Sequence, residues 1–398
     1  MNPIKIANKN KASQEQLFNY HKNLVPLMPN FITAMTVKDI TTAIEEIAPI
    51  HYAEDFDNVG LLVGSYSTEV TGVLVTLDTL ENVIDEAIAE KCNLVVSFHP
   101  IIFSGLKKIN GNTYIERVVL KAIKHDIAIY AIHTALDNSI KGVSAKMAEM
   151  LALDNTEILL PKMGTIKKLT TYVPNNDAEK VRKALFDAGA GAIGNYTDCS
   201  FNLQGQGTYR GNENSNPTIG KKGVFHTEGE TFVSVLFEKH LERNILQTLF
   251  KNHPYEEVAY DIVTTDNAHQ HIGMGMVGTL ANEMTEQDFL AFLKKQFNLK
   301  CIRHSKLLGK PIKKIAVLGG SGSFAIEAAK GVGADIYISS DLKYHEFYKA
   351  ENQLILADIG HYESEQFTKN LLADYLTKKF LNFAIVLAKS NTNPINYL

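Results

Sequence analysis

From Val37 onward the apolar positions follow two alternating rhythms. In VKDITTAIEEIAP the residues Val37, Ile40, Ile44 and Ile47 recur at helical spacing, which predicts a helix with one apolar face. Residues 60–63 and 73–77 are short apolar runs and predict strands. ENVIDEAIAEKC reads as a helix before the run LVVSF, and YIERVVLKAIKHD as a helix before IAIYAI. Short apolar runs that alternate with amphipathic helices predict an α/β fold with parallel-type sheets covered on both faces.

The rhythm changes between about 165 and 270. KLTTYVP reads as a strand, and DAEKVRKALFDAGA as a helix with Val181, Ala184, Leu185 and Ala188 inward. Strands are expected at 197–203 and 231–237, then the helix KHLERNILQTLFKNH and the strand EVAYDIV. The order β-α-β-β-α-β is the ferredoxin-like arrangement, a small α+β unit. Residues 205–229, rich in Gly, Asn and Thr, read as an exposed loop. After about 278 the first rhythm returns, through TEQDFLAFLKKQF, IKKIAVL, GGSGS, FAIEAAKGV, DIYISS, LILADI, ESEQFTKNLLADYLTKKF and FAIVLA. The simplest organisation is a two-part α/β core, 35–164 and 271–398, interrupted by a ferredoxin-like insert at 165–270. Residues 1–34 are polar, lack a steady period and carry two prolines in LVPLMPNF; they read as an extension, poorly ordered or loosely docked.

Composition narrows the function classes. A chain 45% hydrophobic and 21% charged is not disordered. Forty basic residues against 44 acidic ones give a net charge of −4, so a nucleic-acid partner is not expected. No apolar run approaches the roughly 18–20 residues that span a bilayer, so no membrane association is expected. Cys92, Cys199 and Cys301 lie far apart and form no CxxC pair, which excludes a Cys-rich zinc site. They read as small buried hydrophobes of a reducing, cytoplasmic protein with no secretory apolar segment.

In a parallel sheet, ligands gather where the carboxyl ends of strands run into the next loop. LVVSF leads to His99-Pro100, and IAIYAI to His133-Thr134-Ala135-Leu136-Asp137. DIYISS leads to Asp341 and His345, and LILADI to Gly360-His361 and on to Glu365. Four runs that each end in His or Asp supply what a divalent-metal site needs. His361 and Glu365 are four apart, as are His133 and Asp137, so on a helix each pair shares one face. Nitrogen and oxygen donors without a thiolate suit zinc, manganese or iron. Gly-rich GGSGS, 319–323, fits either anion binding at a helix start or a tight turn with close helix–sheet packing. His269 and His271 read as part of a linker. Neither G-x-S-x-G nor H-E-x-x-H occurs.

SFHPIIFSGLKKI, AIHTALDN, SSDLKYHEF and GHYESE, in this order, resemble the Nif-three-like family, also called the dinuclear-metal-centre hexameric or GTP cyclohydrolase 1 type 2 family. AEDFDNVGLLVG, 53–64, is similar to a further motif of that family. The likeness runs from about Met35 to the C-terminus, and HPYEEVAYD, 253–261, resembles the CutA/PII-like insert of its longer bacterial members.

The resemblance implies up to two divalent ions per subunit, held by a His-His pair, the Asp of H-T-x-x-D, and the His and Glu of the late G-H motif. On this chain those positions are His99, Asp137, His361 and Glu365. The first histidine of the pair is replaced by Phe98, which cannot coordinate a metal; His133 then either substitutes or orients a ligand from outside. Phe56 stands where many members have Trp. The implied activity is hydrolytic opening of the guanine imidazole ring of GTP with release of formate, in a hollow homohexamer. Two other classes stay open: a non-catalytic metal-binding or regulatory assembly protein, and a metal-dependent phosphoesterase.

Overall fold

The computed structural model describes residues 35–269 and 271–398; the extension expected at 1–34 lies outside them. In chain order, α1 (Val37–Glu45) leads through a 3-10 turn at Ile50–Tyr52 to β1 (Gly60–Val63) and β2 (Val73–Thr76). Then come α2 (Glu81–Ala89), β3 (Leu94–Ser97), α3 (Tyr114–Lys124), β4 (Ala128–Ala131), and the helices α4 (His133–Asp137) and α5 (Val143–Met150). After β5 (Asp154–Pro161) follow β6 (Ile166–Pro174), α6 (Ala178–Asp187), β7 (Phe201–Arg210), β8 (Phe225–Glu238), α7 (Glu242–Asn252) and β9 (Tyr260–Thr264). The chain continues with β10 (Gly273–Met284), α8 (Glu286–Gln296), β11 (Arg303–His304), β12 (Ile312–Ser321) and α9 (Ile326–Gly331). It closes with β13 (Ile336–Ser340), β14 (Ile355–Asp358), α10 (His361–Glu365), α11 (Thr368–Lys379) and β15 (Ile385–Leu387).

The predicted α/β class holds, with three sheets of mixed direction. The first runs β1-β4-β3-β2-β15, parallel except for β1 at the edge. The second runs β11-β14-β13-β12-β10-β5, in which only β12, β13 and β14 are mutually parallel. The antiparallel strands lie at the sheet margins. The two sheets exchange strands: β15, from the end of the chain, pairs with β2, and β5 pairs with β10.

Packing follows the periodicity. Val83, Ile84 and Ala87 of α2 and Val118, Val119 and Ala122 of α3 bury against Leu74, Val95 and Ile129 of the first sheet. Phe289 and Leu293 of α8, with Phe297 just beyond it and Met147 of α5, cover one face of the second sheet over Ile315, Val317 and Ile338. Ile326 and Ala329 of α9 cover its other face over Ala316, Tyr337 and Leu356. Each large apolar side chain so buried contributes about 1.5–3 kcal/mol relative to exposure. That supply makes these layers a rigid frame for the loops at the strand ends.

The third sheet, β7-β8-β6-β9, is antiparallel throughout and packs Leu169, Val233 and Val235 against Val181 and Leu185 of α6 and Ile245 and Leu249 of α7. Two readings of this region need correction. Residues 205–229 are not one loop, because β7 runs on to Arg210 and β8 starts at Phe225, ten residues pairing from Phe201↔Ser234 to Arg210↔Phe225. Glycines at 205, 207 and 229 hid the strands, since glycine weakens strand preference while leaving backbone pairing intact. The first of these strands also starts at Phe201, later than expected. The cysteines differ as well. Cys92 is buried, and burial with nearby Glu90 and Glu86 pushes its thiol up to about 11. Cys199 is half-buried and Cys301 exposed, the latter on the surface segment between α8 and β11.

Candidate metal centre

The parallel registers bring the strand ends together. Thr76 pairs with Ser97, and two residues on the His99 N–H donates to the Leu77 carbonyl at 2.9 Å, which sets Asp78 beside His99. Ser97 pairs with Ala131, and the His133 N–H donates to the Phe98 carbonyl at 2.9 Å. Ser339 pairs with Asp358, so Asp341 stands near Gly360 and His361. The carboxyl ends of β2, β3, β4, β13 and β14 thereby converge.

At their meeting point His99 Nε2 lies 3.1 Å and His361 Nε2 3.2 Å from Glu365 Oε2. His361 and Glu365 open and close α10, the one-turn helix that their spacing predicts. The three side chains form a group able to hold one ion. Glu365 Oε2 is buried and accepts no aligned hydrogen bond, although both imidazoles crowd it. A buried acceptor without an aligned donor is costly. Two nitrogens and one carboxylate oxygen around it suit a divalent cation.

Each imidazole is fixed from behind. Asp78 Oδ1 lies 2.8 Å from His99 Nδ1, Asp341 Oδ2 lies 2.8 Å from His361 Nδ1, and Asp57 Oδ1 lies 2.8 Å from His133 Nδ1. A carboxylate on Nδ1 holds the proton there and leaves Nε2 free to bind an ion. The carboxylates are themselves held. Asp78 accepts from Thr392, Asp57 from the backbone and hydroxyl of Thr134, and Asp341 from Ser321. His133 and Asp341 both have positive φ, +21° and +55°, strain of the kind that clusters at functional sites.

The charges in the cluster act strongly on one another. Burial works against protonating His99, but Asp78 and Glu365 outweigh it and push its pKa up to about 10. Burial likewise opposes a charged His361, while Glu365 and Asp341 raise it to about 9. Burial would raise Glu365, yet His361 and His99 hold it well below the ordinary carboxylate range. Asp137 goes the other way, lifted well above that range by burial and then by the charge of Glu365. Two carboxylates this close ionise together only when positive charge lies between them.

The four expected metal residues are therefore placed unequally. His99, His361 and Glu365 meet; Asp137, at the end of α4, feels the charges of Glu365, His99, Asp57 and His361 without joining the three-residue group. His133 lies with its ring 5.2 Å from that of His99, and the fully buried Phe98 ring sits 4.8 Å from His99 and 5.6 Å from His133. His345, at the end of the same motif as Asp341, is exposed and packs on Tyr344 and Tyr348. The GGSGS segment serves packing. β12 extends through Ser321, the Gly320 N–H donates to Ser364 Oγ at 2.9 Å, and at φ +68° a Cβ on Gly320 would strike the Glu365 carboxylate. Sequence reasoning missed Asp78, which the pairing of two adjacent strand ends could have revealed, and Asp57, which sits inside the motif at 53–64.

With this geometry in hand, comparison with known proteins is specific. A Bacillus subtilis protein named GTP cyclohydrolase 1 type 2 homolog is 39% identical over 367 residues, which cover 91% of this chain and 98% of that one. A Halalkalibacterium halodurans protein of the same name is 36% identical, over 89% and 96% of the two chains. The crystal structure of a Bacillus cereus protein related to NIF3 matches with TM-score 0.73 at 36% identity, covering 92% of this chain and all of that one. A Staphylococcus aureus structure matches with TM-score 0.74 at 29% identity, over 92% and 99%. The Duf34/NIF3 (NGG1p interacting factor 3) family profile matches residues 35–394, and the chain belongs to that family.

Proposed function

We propose that the protein is a divalent-metal-dependent hydrolase of a guanine nucleotide, opening the imidazole ring of GTP with release of formate. The observation that carries this reading is the buried Oε2 of Glu365, set 3.1 and 3.2 Å from two imidazole nitrogens and accepting no aligned hydrogen bond. The names of the relatives support a nucleotide substrate.

His99, Asp137, His361 and Glu365 are the proposed ligands, for up to two ions of zinc, manganese or iron. If two ions bind, Glu365 would be the ligand they share, and His133 would either substitute for the histidine that Phe98 replaces or orient a metal-bound water. When bound, such ions lower the pKa of water towards neutrality and neutralise charge on the substrate. The chain's own residues prepare for this. Asp78 and Asp341 fix the protons on Nδ1 of His99 and His361, and Phe98 keeps one wall of the site dry.

The same proposal divides the chain into core parts at 35–164 and 271–398 and a CutA/PII-like insert at 165–270. It places the protein in the cytoplasm, as a homohexamer. No helix among the described residues is long and apolar enough to cross a membrane. Light scattering that gives a monomer at micromolar concentration would overturn the hexamer. The activity is tested by incubating metal-loaded protein with GTP and, separately, with generic phosphoesters. Formate release that chelator abolishes is the expected result. Phosphate release alone would make it a phosphoesterase, and neither product a metal-binding assembly protein.

A further inference from the structure

We propose that His51, Glu238 and His240 form a second divalent-metal site, which ties the antiparallel sheet to the main body of the protein. His51 belongs to the 3-10 turn between α1 and β1, Glu238 ends β8, and His240 lies in the turn that follows it. Their ligand atoms form the second group among the described residues able to hold one ion. His240 Nδ1 lies 3.3 Å and His51 Nε2 3.7 Å from the same atom, Glu238 Oε2. On the other oxygen, His269 Nε2 lies 3.6 Å from Glu238 Oε1. The linker histidine at 269 is thus brought to the cluster. Its Nδ1 accepts from the His271 N–H at 3.1 Å, which leaves Nε2 facing the carboxylate.

The distances decide between an ion site and ordinary ion pairs. Aligned histidine–carboxylate hydrogen bonds elsewhere in this chain measure 2.8 Å at His99–Asp78, His133–Asp57 and His361–Asp341, and 3.0 Å at His226–Glu228. None of the three contacts to Glu238 is an aligned hydrogen bond. Around a tetrahedral ion with bonds of about 2.0–2.1 Å, neighbouring ligand atoms stand roughly 3.3–3.4 Å apart. The spacing at 3.3–3.7 Å is near that of ligands around a shared ion.

The rings add a second observation. His51 and His240 stack with centroids 3.4 Å apart and planes 16° from parallel. The stacking holds both rings side by side against the same carboxylate, with Nδ1 of one and Nε2 of the other turned to Glu238 Oε2. The side chains of His51, Glu238 and His240 are each about a third exposed, at 33%, 37% and 31%, which leaves an ion a path from solvent. Two imidazoles and a carboxylate, with no thiolate, select zinc or a similar transition ion over calcium or magnesium. Three protein ligands leave one position for water, or for His269 after a small rotation.

Zinc counted by equilibrium dialysis on the full chain tests the site independently of the Glu365 centre. Glu365→Ala should still bind one equivalent of zinc, and adding His240→Ala or His51→Ala should remove it. X-ray absorption of zinc-loaded Glu365→Ala should show a nitrogen and oxygen shell containing at least two imidazoles. The single variants His51→Ala and His240→Ala, both on surface turns, repeat the test without touching Glu365: each should bind one equivalent fewer than the unmodified protein. Zinc counts that His51→Ala and His240→Ala leave unchanged would overturn the proposal, whatever the activity towards GTP.

Discussion

Replacing Gly320 with alanine tests whether the carboxylate of Glu365 is set by the backbone behind it. A Cβ built on Gly320 would stand 2.3 Å from Glu365 Oε1, and real Cβ contacts below 3.0 Å essentially do not occur. The carboxylate or the strand must therefore yield by at least about 0.7 Å, whereas metal–ligand distances are held to roughly ±0.2 Å. The carboxylate cannot turn aside without cost, because its other oxygen already fills the gap between His99 and His361. Gly320 also sits at φ +68°, where an L-residue costs about 1–2 kcal/mol. Gly320→Ala should thus lower the melting temperature of the metal-free protein. It should also weaken zinc binding, measured by competition with a chromophoric chelator, by about tenfold or more, in the range seen when groups supporting a ligand are lost. Gly331→Ala is the control: nothing lies within 4 Å of its added Cβ, so zinc affinity should hold and the melting temperature should not fall. If Gly320→Ala binds zinc as tightly as the unmodified protein, the carboxylate is not positioned by that wall, and the close-packing reading of GGSGS fails.

Three further outcomes are expected. Phe98→His should raise occupancy of a second ion in elemental analysis, at some loss of stability because the Phe98 ring is fully buried; two full equivalents in both proteins would show that His133 or water already completes that site. Asp78→Ala should weaken zinc binding by about 10–100-fold, by releasing the proton that it holds on His99 Nδ1, and unchanged affinity would remove it as a positioning residue. Glu86 accepts the N–H groups of Lys389 and Ser390 at 2.7 and 2.9 Å; burial opposes its charge, but these bonds hold its pKa below the usual 4.5. Its contribution is therefore present above the unfolded pKa and lost as pH falls through the lowered one. Glu86→Gln should shrink the gap in melting temperature between pH 6 and pH 3, and an unchanged gap would refute the assignment.

The fold and much of the candidate site were legible where information is local. Helix period and apolar runs marked the core elements, and the rule that ligands collect at strand ends singled out His99, His361 and Glu365. The far ends of the β7–β8 hairpin, residues 204–210 and 225–230, were not legible, because glycine and polar residues can pair through the backbone without an apolar stripe. Asp78 escaped because its role depends on which strands are neighbours, and a single sequence does not state sheet order. His51 and His240 meet across 189 positions of chain, a contact that no spacing rule reaches. Asp137 stands beside the three-residue group rather than in it, a placement that depends on side-chain geometry that spacing on a helix does not fix.

The exchange of strands between the two main sheets has a consequence for synthesis. The first sheet lacks its edge strand until residues 385–387 have left the ribosome, and β5 waits for β10, more than a hundred residues later. Pairings so distant in sequence form slowly, and unpaired edges are exposed meanwhile. His99 is made early, whereas His361 and Glu365 are made more than 250 residues later. A nascent chain therefore cannot bring His99, His361 and Glu365 together until then, and a chain cut short before α10 would carry only the first of the three and an open edge on β2.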